Sequence, residues 1–129
     1  MTTDILKHIQ EGLIFSTADE AKVKDLPWHE HPTFSGVALK HLITAKNTDG
    51  KFSSHLVRVN SGCEIGEHIH EGKWELHEVL IGRGKCIVKS KEINYYGGIV
   101  AIMPPDIPHT VKAEEDDLYI LAKFIPALV

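Results

Sequence analysis

From residue 34 onward the hydrophobic positions gather in short runs rich in β-branched and aromatic residues, broken at regular intervals by glycine, proline, asparagine or aspartate. Such side chains fit the pleated surface of a sheet, so each run predicts a strand. The runs cover residues 34–43, 54–59, 64–69, 74–81, 85–89, 99–103, 109–112 and 118–125. Turn formers separate them: NTDG at 47–50, NSG at 60–62, EGK at 71–73, GRG at 82–84, SKE at 90–92, YGG at 96–98, PPDIP at 104–108 and EEDD at 114–117. Roughly eight antiparallel strands with a turn about every ten residues predict an all-β sandwich or barrel, with a jelly roll folding the strands into two facing layers. The first 33 residues are patterned differently. DILKHIQE at 4–11 predicts a short helix, whereas the two prolines of LPWHEHP at 26–32 predict an extended arm without regular structure. The expected division is an N-terminal arm over 1–33 and a barrel over 34–129.

Composition narrows the function classes. The 129 residues suit one domain, whose core would bury roughly two-thirds of the unfolded surface. Fourteen Lys plus Arg against eighteen Asp plus Glu give a formal charge of -4, with no basic stripe to follow a phosphate backbone, which argues against nucleic acid as a partner. The N-terminal MTTDILKHIQEGLIF lacks the basic start and apolar run of a signal peptide. No stretch approaches the roughly 18 apolar residues of a membrane span, so a soluble cytoplasmic protein is expected. Cys63 and Cys86 are the two cysteines, expected as free thiols. Nine histidines, by contrast, are many for this length and suggest work beyond packing.

Three candidate ligands stand close together in GCEIGEHIHEGKWELHEVLIG, residues 62–82: His68, His70 and Glu75. His68 and His70 are two apart, so one extended segment aims both imidazoles at the same point. Glu75 has the opposite parity and needs a break in the strand, which Gly72 supplies. Imidazoles with a carboxylate suit a borderline divalent metal such as iron, manganese, nickel, copper, cobalt or zinc, and the lack of thiolate argues against a structural zinc.

The stretch fits G-x5-H-x-H-x4-E-x6-G from Gly62 to Gly82 and resembles the first motif of the cupin superfamily. After a 15-residue gap, Gly98, five residues, Pro104, Pro105, Asp106, two residues and His109 resemble the second motif, G-x5-P-x-G-x2-H-x3-N, over 98–113. Asp106 stands where that motif has glycine, Ala113 where it ends in asparagine, and Ile99 where many cupins carry aspartate. The resemblance implies a small single-domain barrel of the bacterial type. It also implies a fourth ligand, His109, so that His68, His70, Glu75 and His109 hold one divalent transition metal with about two positions left open. It further implies a homodimer, for which the first 33 residues offer a segment to exchange.

Other residues carry weaker signals. His77, two beyond Glu75, shares its inward face and is the candidate catalytic acid or base, or else a group that orients Glu75 or fills the core. Glu78 falls on the opposite face and is expected in solvent. His29 and His31 form a second H-x-H in the proline-bounded arm, readable as a metal site, a cover for the barrel mouth or an inert surface segment. His41 and His55 lie in predicted strands, with packing or surface roles expected and the cavity an alternative; His8 should be solvated. Arg58 alternates against Val57 and Val59 and is expected at the surface, while Trp74, Tyr95, Tyr96, Phe52 and Tyr119 are expected to pack. The functional expectation is a metal-dependent enzyme acting on a small oxygen-bearing organic molecule, either a dioxygenase or an isomerase or lyase working through an enolate. The alternative is a binding or sensing module without turnover. With only a closing strand after residue 118, no DNA-reading element is expected.

Overall fold

The computed structural model describes residues 4–129, so the first three residues of the expected arm lie outside it. Helix α1 (Asp4–Gln10) leads into a hairpin of β1 (Leu13–Phe15) and β2 (Glu20–Lys22), a 3-10 turn (Val23–Asp25) and the two-residue strand β3 (His29–Glu30). Then follow β4 (Val37–Ile43), the helical turn α2 (Ala45–Thr48), β5 (Ser53–Val59), β6 (Glu64–His68) and β7 (Trp74–Ile81). The chain closes with β8 (Arg83–Val88), β9 (Lys91–Tyr96), β10 (Val100–Met103), β11 (His109–Ala113) and β12 (Leu118–Ile125). Among the described residues no helix is long and apolar enough to cross a membrane.

Six strands form one sheet in the order β10-β7-β12-β5-β4-β3, and four form a second in the order β6-β11-β8-β9, with neighbours antiparallel. The period-two pattern sets which side chains meet between them. Along β12, Leu118, Ile120, Ala122 and Phe124 alternate as buried residues with partly exposed ones. With Val57, Val79 and Met103 they join Cys86, Tyr95 and Val111 of the second sheet in one core. Each fully buried aliphatic side chain there contributes about 1.5–3 kcal/mol of transfer free energy. This is the expected jelly-roll architecture of two facing antiparallel layers.

Strands 74–81 and 118–125 form over the residues their patterns predict. The differences have local causes. β9 lies where SKE and the following residues gave no strand signal: Lys89 and Ser90, at φ +49° and +68°, turn the chain back in two residues without the Gly or Asn that marks such hairpins. β4 starts at Val37 rather than residue 34, after Gly36 at φ +77°. The arm, expected to lack regular structure, contributes β3 to the edge of the six-stranded sheet, continued by the His31 N–H donating to the Val37 carbonyl at 2.8 Å.

Trp28 fixes the arm in place. Its ring lies beneath the Arg58 guanidinium, 4.6 Å away, and the Lys40 ammonium, 5.3 Å away, while Lys40 Nζ donates to the Val23 carbonyl at 3.0 Å. Arg58 therefore departs from the expectation of a free surface residue. It does face away from the core as its alternation requires, but the arm covers that face and leaves it half-buried, 3.8 Å from Glu30.

Candidate metal centre

Two strand termini and one loop bring four side chains together. His68 closes β6 and stands opposite His109, which opens β11, with ring centroids 4.2 Å apart. The chain continues past His70 and turns at Gly72, whose φ of +67° accomplishes the expected break in strand parity. Glu75 then enters from β7. One ligand atom from each of His68, His70, Glu75 and His109 lies within 4.8 Å of the others, a group that could hold a metal ion.

Carbonyl groups set the imidazole tautomers. His68 Nδ1 donates to the Gly66 carbonyl at 2.7 Å, and His109 Nδ1 to the Ile107 carbonyl at 3.1 Å. A carbonyl oxygen only accepts, so each ring carries a proton on Nδ1 and turns Nε2 inward, bare in the tautomer that can bind a cation. His109 Nε2 then lies 3.0 Å from Glu75 Oε1, with His70 Nε2 3.6 Å from the same oxygen. Two lone pairs at that separation repel unless a proton or a cation lies between them, so the donor set suits a bound cation.

The charge states agree. Burial works against a charged Glu75, which is 6 % exposed, but His77, which is also hydrogen-bonded to it, and the neighbouring His109 outweigh it and hold the carboxyl well below the usual range. Burial lowers His68, and it pushes His70 to about 4 against the pull of Glu75. A carboxylate beside neutral imidazoles is the protonation pattern a metal requires of its ligands.

His77 shares the inward face of Glu75, is 3 % exposed, and lies behind the carboxylate. Its Nε2 is 2.8 Å from Glu75 Oε2 and its Nδ1 2.7 Å from the Tyr95 hydroxyl. The two carboxylate oxygens are thus divided, Oε2 to His77 and Oε1 toward His70 and His109. Burial disfavours the His77 cation, yet Glu75 together with Cys86 more than offsets this and raises the imidazole to about 9. Tyr95 as the support of His77 had no sequence signal, because its strand was not legible. Asp106 is the other addition. At φ +65° it takes the left-handed turn that the second motif gives to glycine, its carboxylate accepts the Gly72 N–H at 3.1 Å, and its own N–H donates to the His70 carbonyl at 3.2 Å.

A cavity of about 370 Å³ opens beside His68, His70 and Glu75. His29 and His31 of the arm lie along its wall and are not among the four convergent side chains. His41 also lines the cavity, whereas His55 is fully buried behind it. Glu78 is half-buried and paired with Lys123 rather than free in solvent. Cys63 and Cys86 are free thiols, as expected.

A small antiparallel jelly roll with three imidazoles and a carboxylate gathered at one end of a cavity defines the class: a barrel of the cupin type with a possible metal centre. The cupin domain family matches residues 55–122, more than half of the chain, and the protein belongs to that family. No curated protein matches the sequence. Among solved structures, the fold is similar to a predicted oxalate decarboxylase from Thermotoga maritima at 22 % identity and a TM-score of 0.72, covering 80 % of this chain and 95 % of that one. It is similar to the polyketide cyclase RemF from Streptomyces resistomycificus at 15 % identity and a TM-score of 0.72, covering 83 % and 78 %. KdgF from Halomonas sp. gives 17 % identity and a TM-score of 0.69, covering 80 % and 88 %.

Proposed function

We propose that the protein is a metal-dependent enzyme acting on a small oxygen-bearing organic molecule, as a dioxygenase or as an isomerase or lyase working through an enolate. One observation carries the reading: three of the four convergent side chains, His68, His70 and Glu75, also line the cavity, so a bound ligand and a bound metal would share one space. His68, His70, Glu75 and His109 would hold one divalent transition metal, which when bound supplies a Lewis acid with about two positions open to ligand oxygens. The chain's own residues set the conditions around it. Gly66 and Ile107 fix two of the imidazoles through their carbonyls, and the apolar cavity walls exclude water. His77, held by Tyr95, secures Glu75 through Oε2 and keeps a proton at Nε2 one carboxylate away from the cavity. The similar polyketide cyclase and predicted oxalate decarboxylase agree with enzymatic use of this barrel. Exposed Val100, Ile102, Trp74 and Ile125 on the outside of β10, β7 and β12 support a homodimer, and a cytoplasmic location fits the composition.

Elemental analysis of protein purified without a metal-affinity tag tests the centre, followed by turnover of diketones, phenols and sugar acids with and without dioxygen. Bound metal with oxygen uptake supports the dioxygenase, and turnover without oxygen supports the isomerase or lyase. Ligand retention with no product would transfer the protein to the binding and sensing class, and protein unable to bind any divalent metal would refute the proposal.

A further inference from the structure

A second polar group enters the same cavity on the side away from the four convergent residues. His41 lines the wall, and its Nδ1 lies 2.8 Å from Nδ1 of the fully buried His55. His55 Nε2 is 2.8 Å from Ser53 Oγ, which accepts the Leu128 N–H at 2.8 Å. The His29 ring stacks on His41 with centroids 4.6 Å apart. Phe124 stands between the two polar ends, edge-on to His55 at 5.6 Å and to His70 at 4.8 Å.

A nitrogen-to-nitrogen hydrogen bond holds one proton, so the two rings take opposite roles. When His55 donates through Nδ1, the Ser53 hydroxyl donates to His55 Nε2 and His41 carries its own proton on Nε2. When His41 donates instead, its Nε2 is bare and His55 passes its Nε2–H to Ser53 Oγ. Either way Nε2 is the nitrogen of His41 left for a ligand, and the relay lets it donate or accept without a change of net charge. Burial lowers His41, with His29 adding to the effect, and burial with His41 brings His55 to about 4, so this end of the cavity is neutral near pH 7.

Apart from His29, Glu30 and His31 of the arm, the remaining walls are apolar, with Val37, Leu39, Val57, Ile65, Phe124 and Leu128 among them. Among the described lining residues there is no lysine or arginine, and the charged side chains are the acidic Glu30 and Glu75. An anionic group brought beside His41 would lose its hydration and meet no counter-charge. A hydroxyl or carbonyl there would find its hydrogen bond. The volume of about 370 Å³ sits near the lower end of ligand pockets, which span roughly 300–1,000 Å³.

We propose that the ligand of this cavity is a compact, uncharged, mostly apolar molecule with two neighbouring oxygens at one end and a single hydroxyl or carbonyl at the other, and that His41 receives the latter. The proposal rests on the metal-centre reading for its first end and on the His41, His55 and Ser53 relay for its second.

The test is calorimetry on the zinc-loaded protein at pH 7.5 without oxygen, with catechol, 4-(hydroxymethyl)catechol and 3,4-dihydroxybenzoate as probes. They share a chelating end and differ opposite it. The hydroxymethyl compound should bind about 2- to 10-fold more tightly than catechol, the worth of one added hydrogen bond, and the carboxylate more weakly than catechol. His41→Leu should abolish the difference between the first two compounds, and His41→Gln, which keeps a donor and an acceptor, should retain part of it. Equal affinities for catechol and its hydroxymethyl derivative in the unmodified protein would overturn the proposal, as would tightest binding of the carboxylate. Zinc bound with no affinity for any of the three also overturns it while leaving the metal centre standing. If zinc does not bind, the metal-centre reading fails and this proposal falls with it.

Discussion

Replacing His55 by glutamine should flatten the acid dependence of folding stability. His55 is 0 % exposed, and its imidazole falls from 6.5 to about 4 because burial penalises the cation and His41 adds to the penalty, with Glu75 pulling weakly the other way. The unfolded chain therefore binds a proton near pH 6.5 that the folded chain refuses until about pH 4. Stability from this group is fully present above the unfolded value and is lost as the pH falls through this window. Linkage between 6.5 and about 4 gives a loss of about 2 kcal/mol between pH 7 and pH 5, rising to about 3 by pH 4. His68, His70 and His41 are lowered as well, so the wild-type curve alone would mix several groups. Urea unfolding of chelator-treated wild type and His55→Gln in parallel from pH 7.5 to 4.5 removes that mixture by difference. The variant should be less stable at pH 7 by about 1–2 kcal/mol for its impaired hydrogen bonds, and by pH 5 the difference should move by about 2 kcal/mol in the variant's favour, closing or reversing the gap. Parallel curves, with a constant gap, would refute the claim that His55 is buried neutral.

The remaining expectations concern the metal centre and its loop. The double substitution His68→Ala with His109→Ala should take bound metal from about one ion per chain to none, measured by elemental analysis after dialysis against the free ion; unchanged content would sink the ligand assignment. His77→Leu leaves Glu75 Oε2 without its partner and should weaken metal binding about 10- to 100-fold, read by competition with a chromophoric chelator, whereas an unchanged affinity would make His77 a packing residue. Asp106→Ala removes the bond to the Gly72 N–H and leaves a β-carbon at a left-handed φ, a loss of about 1–2 kcal/mol. Asp106→Gly removes the bond but relieves the backbone and should lose less, so equal urea midpoints for the two variants would refute the strain.

The fold was legible wherever strand-forming composition and turn chemistry agreed. β7 and β12 are each a short run rich in β-branched and aromatic residues bounded by Gly, Pro or Asp, and their limits could be read directly. β9 could not, because Lys89 and Ser90 form a tight turn with side chains that do not advertise one, and because Tyr95 is the sole fully buried residue of KEINYY. β3 was hidden for a different reason. Two residues cannot show a period, and their place at the sheet edge depends on Trp28 settling under Arg58 and Lys40, residues far along the chain.

The same distinction separates the two ends of the cavity. His68, His70 and Glu75 fall within one strand, one turn and the start of the next, so local parity and a single glycine suffice to bring them together. His109 comes from a later motif, and its loop tolerates Asp106 in place of glycine because the aspartate hydrogen-bonds across to Gly72. His41 and His55 are paired by register alone: β4 and β5 set them directly opposite, and a bulge after His41 and the helical turn α2 lie in between. No spacing rule foresees that pairing, since a slip of one residue in either strand would put the two rings on opposite faces. The candidate metal end is thus written in short motifs, while the end that would choose the ligand is written in cross-strand register. A sequence pattern alone can therefore indicate chemistry at this barrel and still leave its ligand unread.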